Sequence, residues 1–152
     1  MIAIHWREGY KYQLSCKYMH HLQQDFFAGM EIIRQRFLKL DQQILIINPG
    51  YAWDGATGVP DHKCIMRASL VHDALYQSIR CGYFCRSGQH VVMSGKMVNE
   101  MRKAADKEFL RVALEDGTPA VIAVHVLYKG VRLFGYSSAL TPKSIHTNVE
   151  PL

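Results

Sequence analysis

The sequence lacks any hydrophobic run that approaches the roughly 18 residues a membrane-spanning helix needs. Its first residues show no charged segment followed by an apolar one, which predicts that there is no signal peptide and that the protein lies in a cytoplasm. Cysteine is also scarce, and Cys16, Cys64, Cys81 and Cys85 do not form two closely spaced pairs. We therefore expect reduced thiols rather than a disulfide framework, with zinc binding at Cys81 and Cys85 as the less favoured alternative.

Neither sign of charge dominates the chain. Its 152 residues include 18 Lys and Arg against 13 Asp and Glu, a formal net charge of +5. There is no basic run and no nucleic-acid reader motif, so we expect no nucleic-acid partner, while the mild excess favours anionic partners. An apolar fraction of 49% over this length predicts one domain with its own core. We expect that domain at residues 1–135 and a tail at 136–152.

The first 48 residues are predicted to be rich in β-structure. The β-branched run 43–47 ends at Asn48-Pro49-Gly50, which favours a strand, and residues 10–16 alternate weakly. Residues 30–40 fit either a short helix or an exposed strand. Residues 49–62 hold three glycines and two prolines, and such a long, irregular, aromatic segment is typical of a functional loop.

Three helices are predicted after this loop. Apolar residues recur at helical spacing over 63–80, and a second helix runs from Ser94 to Asp116-Gly117, with residues 81–92 as a loop between them. Thr118-Pro119 opens a third helix. Its residues 120–133 are apolar on nearly every side, so we expect this helix to be buried. The predicted fold class is therefore α+β.

Residues with catalytic potential occur on the first two helices. His72 and Tyr76 are one turn apart and share a face, and Asp106 lies between small apolar residues of the next helix. If the helices are antiparallel, Asp106 faces both. A carboxylate on one imidazole nitrogen fixes the tautomer, so the other nitrogen can deprotonate water. The alternative is that a buried His–Asp–Tyr network only ties the two helices together.

A metal site is the second expectation. Asp73 is rotated by about 100° from His72 on the helix, toward the glycine-rich loop. A carboxylate combined with backbone carbonyl oxygens makes the oxygen-only site that Ca²⁺ prefers, and such a cation would polarise a substrate carbonyl. Elsewhere, we expect His125 to be buried in the core with its hydrogen bonds satisfied, and the adjacent His20 and His21 to lie on the solvent-exposed surface.

The glycine-rich loop, His-Asp-x-x-Tyr and Ala-Asp-x-x-Phe together resemble the core of the phospholipase A2 superfamily, the viral capsid-borne branch above all, over residues 50–110. The resemblance implies that the helical part of the fold is phospholipase A2-like. It implies His72 as general base, Tyr76 and Asp106 as its supporting pair, and Asp73 as a calcium ligand. Backbone carbonyls around Trp53, Gly55 and Thr57 would complete the metal site. The loop departs from the family's Tyr-x-Gly-x-Gly pattern at Asp54, which is an additional candidate ligand.

A broader resemblance covers most of the chain. The order of motifs in residues 50–60, 72–76, 106–109 and 127–135 is similar to a family of tailed-phage and prophage proteins without an assigned activity. It implies a phage origin, and with it a place in the host cytoplasm or on the virion. The expected function follows from the phospholipase A2 resemblance: Ca²⁺-dependent hydrolysis of a phospholipid acyl ester. Four basic residues would help the protein dock on anionic lipid: Lys63, Arg67, Arg80 and Arg86.

Two other functions remain open. A non-enzymatic phage virion or interaction protein would keep this core, bind other phage proteins through exposed aromatics (Trp6, Tyr10, Tyr12 and Tyr83), and form an oligomer of unknown size. A metal-dependent phosphohydrolase of the HD class is the lesser alternative. It would use His62, the His72-Asp73 pair and Asp106, but it leaves Tyr76 and the loop unexplained.

Overall fold

The computed structural model describes residues 6–9, 11–33, 35–55, 63–82 and 84–133. The predicted tail, 136–152, therefore lies outside the described residues. So do four residues named above: Tyr10, Thr57, His62 and Tyr83. The side chain of Trp6 is not described either, although its backbone belongs to a strand.

Nine short strands form three antiparallel sheets of three strands each within the described part of the chain. The first sheet has the order β1-β2-β7, the second β3-β6-β5 and the third β4-β8-β9. The strands are β1 (Trp6–Gly9), β2 (Lys11–Leu14), β3 (Tyr18–His21), β4 (Met30–Ile32), β5 (Leu38–Asp41), β6 (Ile44–Ile47), β7 (Ala52–Trp53), β8 (Phe84–Arg86) and β9 (Gln89–His90). The ambiguous stretch 30–40 is thus resolved as two strand segments, and its buried side chains alternate as a half-buried sheet requires.

Two hairpins have tight turns of two residues. Gln42 and Gln43 join β5 to β6 with φ angles of 47° and 65°, and Ser87 and Gly88 join β8 to β9 with φ angles of 51° and 76°. Positive φ at both turn positions matches the right-handed twist of the flanking strands. The prediction of a plain loop over 81–92 is therefore wrong, since residues 84–90 form a hairpin.

The helices lie in the second half of the chain. Helix α1 spans Lys63–Cys81 and α2 spans Gly95–Glu115, with the Ser94 hydroxyl accepting a hydrogen bond from the backbone N–H of Met97. A third helix starts as α3 (Ala120–Ile122), continues as a π-helix (Ala123–Tyr128) and returns to α-helical geometry at 129–133. The molecule is therefore of mixed α+β class, as predicted.

The third helix is not buried as expected. Its contact with the core is a stripe of Ala123 and Leu127, with Val131 packed partly against the same cluster on α1 and α2. Most of the other side chains of this helix are exposed, His125 among them. Both predictions, of a buried third helix and of a core His125, are wrong. A uniformly apolar helix has no pattern that shows which side will be covered.

The main core lies between the sheets and α1. Leucines, isoleucines and aromatics from several strands pack against the apolar face of α1, and the large, fully buried side chains of this core include Phe27 and Phe84. No helix in the described ranges combines the length and the apolarity needed to cross a bilayer.

Candidate functional site

Helices α1 and α2 run antiparallel, as three contacts along their length show. Arg67 near the start of α1 binds Asp116 just after α2. In the middle, His72 meets Asp106. Further along α1, the ring of Tyr76 lies beside the guanidinium of Arg102, near the start of α2. The antiparallel packing on which the sequence interpretation depended is therefore present.

His72, Asp106 and Tyr76 meet as one hydrogen-bonded cluster. The Nε2 atom of His72 lies 2.8 Å from Oδ1 of Asp106, and the hydroxyl of Tyr76 donates to the same oxygen at 2.7 Å. The two rings also pack together, with centroids 4.1 Å apart. Because Oδ1 can only accept, Nε2 carries the proton of this bond, and the neutral imidazole has its lone pair on Nδ1.

Arg132 is the member of the site that comes from the third helix. Its Nη1 donates to Oδ2 of Asp106 at 2.8 Å, so both oxygens of this fully buried carboxylate bind protein donors. Three protein donors, one of them the cationic Arg132, bind this acid, so it orients its neighbours, and the phosphohydrolase interpretation, which needs Asp106 as a metal ligand, is disfavoured.

The pKa shifts of His72 and Asp106 favour the same charge state of the pair. Burial alone would lower the pKa of His72, but the hydrogen bond with Asp106 and the negative charges of Asp106 and Asp73 outweigh it and raise that pKa above its usual value. Burial would likewise raise the pKa of Asp106, yet His72, Arg132 and Tyr76 lower it. Both shifts stabilise an imidazolium beside a carboxylate, which is the charge state that follows proton abstraction.

The other nitrogen of His72 faces Asp73 and the loop. Its Nδ1 lies 3.8 Å from Oδ1 of Asp73, which is longer than a hydrogen bond, and the Asp73 side chain is 32% exposed. The backbone N–H of Asp54 donates to Oδ2 of Asp73 at 3.4 Å. Although the His72 side chain is only 9% exposed, its lone pair is therefore directed to the edge of the helix pair that approaches solvent.

The start of the predicted loop is held against α1 by its aromatic residues. Trp53 is buried, donates from Nε1 to the hydroxyl of Ser69 at 3.2 Å and packs on Tyr12, whose ring centroid is 5.5 Å away. Tyr12 is thus half-buried and is not the exposed aromatic that was expected. Residues 52–53 pair with β2, so this part of 49–62 is a strand rather than irregular loop.

The candidate ligands for a hard cation are oxygen groups: the Asp73 carboxylate, the exposed Asp54 and the backbone carbonyls of Trp53 and Gly55. Of these residues the structure places Asp54 against Asp73, and the positive φ of 80° at Gly55 turns the chain just after it. Thr57, the remaining expected ligand, lies outside the described residues. The described residues contain no group of three or more His, Cys, Asp or Glu side chains that could hold a metal, so among them neither a zinc site at the cysteines nor a calcium site made of side chains alone is supported.

A second buried network was missed by the sequence interpretation. His20 is 5% exposed, its Nε2 lies 2.7 Å from Oε1 of Glu108, and the Tyr18 hydroxyl lies 3.1 Å from its Nδ1. Arg111 donates to the same Glu108 oxygen at 2.6 Å. The expectation of a wet surface for His20 is therefore wrong. The sequence held one indication of this second network: Asp106 and Glu108 are two positions apart on α2, so they face opposite sides of the helix and need separate partners.

Of the four basic residues expected to dock on lipid, Arg67 is buried. It donates to Glu115 at 2.6 Å and to Asp116 at 2.9 Å, so it joins the two helices instead of meeting a membrane. Lys63 and Arg86 are exposed and Arg80 is half-buried.

Comparisons of this chain with protein-family models, with curated proteins and with solved structures found no match.

Proposed function

We propose that the protein is a phage-encoded, Ca²⁺-dependent acyl ester hydrolase that acts on phospholipid in the manner of phospholipase A2. The observation that carries the proposal is the orientation of His72. Its Nε2 is bound to a buried carboxylate that Tyr76 and Arg132 also hold, while Nδ1 is directed to the partly exposed edge at Asp73. A base that is fixed through one nitrogen and keeps a lone pair on the other is what water activation requires.

The residues support a simple sequence of proton transfers. Nδ1 of His72 takes a proton from a water molecule as the water oxygen attacks the ester carbonyl carbon. Asp106 stabilises the resulting imidazolium through Nε2, and Tyr76 keeps that carboxylate in place. The imidazolium then returns the proton to the lysophospholipid oxygen as the carbon–oxygen bond breaks, which releases a fatty acid and leaves the histidine neutral.

Calcium would be held by Asp73 with Asp54 or loop carbonyls, where it would polarise the ester carbonyl and stabilise negative charge on its oxygen. Asp73 follows His72 directly in the sequence, so the base and the anionic ligand are positioned by one turn of α1. The exposure of Asp73 leaves its carboxylate accessible from solvent.

Fatty-acid release from phospholipid in the presence of calcium tests the proposal. We expect release by the wild type that stops when a chelator is added, and a fall of about a thousandfold in His72→Gln, since the base is lost. The matched control is His90→Gln, which changes an exposed histidine of β9 and should leave release unchanged. Absence of release by the folded wild type, or equal release by His72→Gln, would contradict the proposal.

The second candidate function is a non-enzymatic phage virion or interaction protein. Full burial of Asp106 and the three donors on its oxygens favour it, because a satisfied network of this kind also serves to join helices. It predicts a folded wild type that neither hydrolyses phospholipid nor responds to calcium, and His72→Gln would then change only stability.

A further inference from the structure

The third helix presents an unusual surface. Five of the eight exposed large hydrophobic side chains among the described residues lie within residues 120–133. They are Val121 (72% exposed), Ile122 (45%), Val124 (39%), Val126 (51%) and Leu133 (74%). Exposed apolar groups that cluster on one element mark an interaction surface, whereas single ones do not. We refer to these five side chains as the apolar face of the third helix.

The third helix itself carries no acidic residue. Residues 117–133 contain Lys129 and Arg132 but no Asp or Glu, and since Arg132 is paired with the buried Asp106, the exposed Lys129 is the cation that this segment offers to a partner. The acidic residues that precede the helix, Glu115 and Asp116, are ion-paired with Arg67, and Glu115 also with Arg111. Within the described part of the chain, little negative charge therefore opposes an anionic partner here.

We propose that the apolar face of the third helix docks the protein on an anionic phospholipid surface. A helix with apolar side chains and cationic neighbours binds in the plane of the interface, where lipid covers the apolar groups and anionic headgroups attract the cations. A partner protein with an apolar groove would satisfy the hydrophobic side chains, but the absence of acidic residues favours a surface of uniformly negative charge. The inference rests on the proposed function in that it supplies the surface on which that hydrolase would find its substrate.

The third helix also belongs to the candidate site. Arg132, one residue before Leu133 of the apolar face, donates to Asp106. Docking through the third helix would therefore fix the helix that supplies Arg132 to the cluster of His72, Asp106 and Tyr76. The five side chains of the docking surface do not include Lys63 or Arg86, the exposed basic residues that the sequence suggested for lipid contact.

Cosedimentation with vesicles tests the docking surface. The full-length protein is mixed with vesicles of phosphatidylglycerol and phosphatidylcholine in equal parts, or of phosphatidylcholine alone, with a chelator present so that no calcium-dependent hydrolysis occurs. We expect binding to the anionic vesicles that weakens with salt, and much weaker binding to phosphatidylcholine. Val121→Glu and Val126→Glu should each reduce binding about tenfold, because an apolar contact becomes a repelled charge. Lys129→Glu should reduce it to a similar degree.

Matched controls separate the face from general effects. Val92→Glu, the control for the two valine variants, places the same charge at a valine that is 83% exposed and lies outside the third helix. Lys17→Glu, the control for Lys129→Glu, makes the same charge reversal at an exposed lysine outside that helix. Both should bind like the wild type. The proposal is overturned if the wild type does not bind anionic vesicles, or if Val92→Glu weakens binding as much as Val121→Glu. It is also overturned if sedimentation velocity shows a dimer that Val121→Glu dissociates, since a second copy would then cover the face.

Hydrolysis of a short-chain phosphatidylcholine below its micellar concentration separates this inference from the proposed function. Turnover of the dispersed substrate without vesicle binding would refute the docking surface and leave the hydrolase intact. Vesicle binding that Val121→Glu abolishes, without turnover of either substrate, would support the docking surface and refute the hydrolase.

Discussion

Asp106 is the residue at which three helices meet. Its two oxygens bind His72 and Tyr76 from α1 and Arg132 from the third helix, and its side chain is fully buried. A buried charge is costly unless it is paired and hydrogen-bonded. Removing the charge should therefore disturb both stability and any chemistry at His72.

Asp106→Asn is expected to lower the free energy of unfolding by about 3 kcal/mol, since an amide cannot replace the buried carboxylate opposite His72 and Arg132. Urea denaturation of the variant and the wild type measures this difference. Asp41→Asn is the control, because Asp41 forms an exposed ion pair with Lys39 and such pairs contribute little. Similar losses in the two variants would contradict the role given to Asp106.

Glu108 is the other buried acid of α2. Burial by itself raises its pKa, but hydrogen bonds from His20 and Arg111 dominate and lower that pKa from 4.5 to about 2. Since the folded protein holds the carboxylate in its charged form, Glu108 stabilises the fold above the unfolded-state pKa of 4.5. That stabilisation is lost as the pH falls from there toward 2.

Glu108→Gln should make this loss visible. At neutral pH the variant is expected to be less stable than the wild type by about 3 kcal/mol, because the shifted carboxylate is gone. Between pH 4.5 and about 2 the difference should shrink, since a protonated glutamate resembles glutamine. Denaturant unfolding at several pH values measures it. A difference that stays constant with pH would show that Glu108 does not titrate in this way.

At the scale of elements, the third helix depends on few contacts. Its buried stripe alternates with exposed apolar residues, so two neighbouring side chains have opposite environments: Leu127 is 1% exposed and Val126 is 51% exposed. The π-helical turn at Ala123–Tyr128 includes both. Packing of this helix and the Arg132 contact should therefore depend on Leu127.

Leu127→Ala is expected to cost about 3 kcal/mol of stability, because it removes buried methyl groups and leaves a cavity between α2 and the third helix. Val126→Ala should leave stability nearly unchanged. Thermal or urea unfolding of the two variants checks this, and a larger loss in Val126→Ala would mean that the helix packs by its other side.

Helix α2 carries both buried acids, and its start is fixed by Ser94. The hydroxyl of Ser94 accepts from the backbone N–H of Met97 at 3.2 Å, which satisfies a donor that has no partner within the helix. Ser94→Ala is expected to destabilise the protein by about 1 kcal/mol, whereas Ser94→Asp keeps an acceptor and should retain most of the stability. Equal losses in both variants, measured by urea denaturation, would argue against a capping role.

At the scale of the whole molecule, the sheets bring the loop to the helices. Strand β7 pairs with β2, and Trp53 at its end is fixed on α1 through Ser69. Asp54 thereby comes next to Asp73, although the two residues are 19 positions apart in the sequence. The candidate cation site therefore exists only when the first sheet and α1 are both folded, which links metal binding to global stability.

Calcium is accordingly expected to raise the Tm of the wild type by about 5 °C at a saturating concentration, because a ligand that binds only the folded state stabilises it. Asp73→Asn should lose most of this shift, while magnesium at the same concentration should produce a smaller one. Differential scanning fluorimetry measures all three. An unchanged Tm with calcium would remove the metal from the proposed mechanism.

Local patterns were sufficient to predict much of this protein. Helical spacing and capping residues predicted α1 and α2, and the β-branched run 43–47 predicted β6. The pair His72 and Tyr76, together with Asp106, was recognised because residues one turn apart share a face and a buried acid needs partners. These features depend on interactions within a few residues, so a single sequence contains them.

Features that depend on contacts between residues distant in sequence were decided by the tertiary structure. Ser87-Gly88 is a recognisable hairpin turn that was passed over, but Gln42 and Gln43 take positive φ angles only because β5 and β6 pair on either side of them. Likewise, the apolar third helix could have been covered on any side, and Glu108 is buried only because β3 places His20 against it. Burial is a property of the packed elements, so the sequence determined which residues could pair, and the packing of sheets against helices determined which of them did.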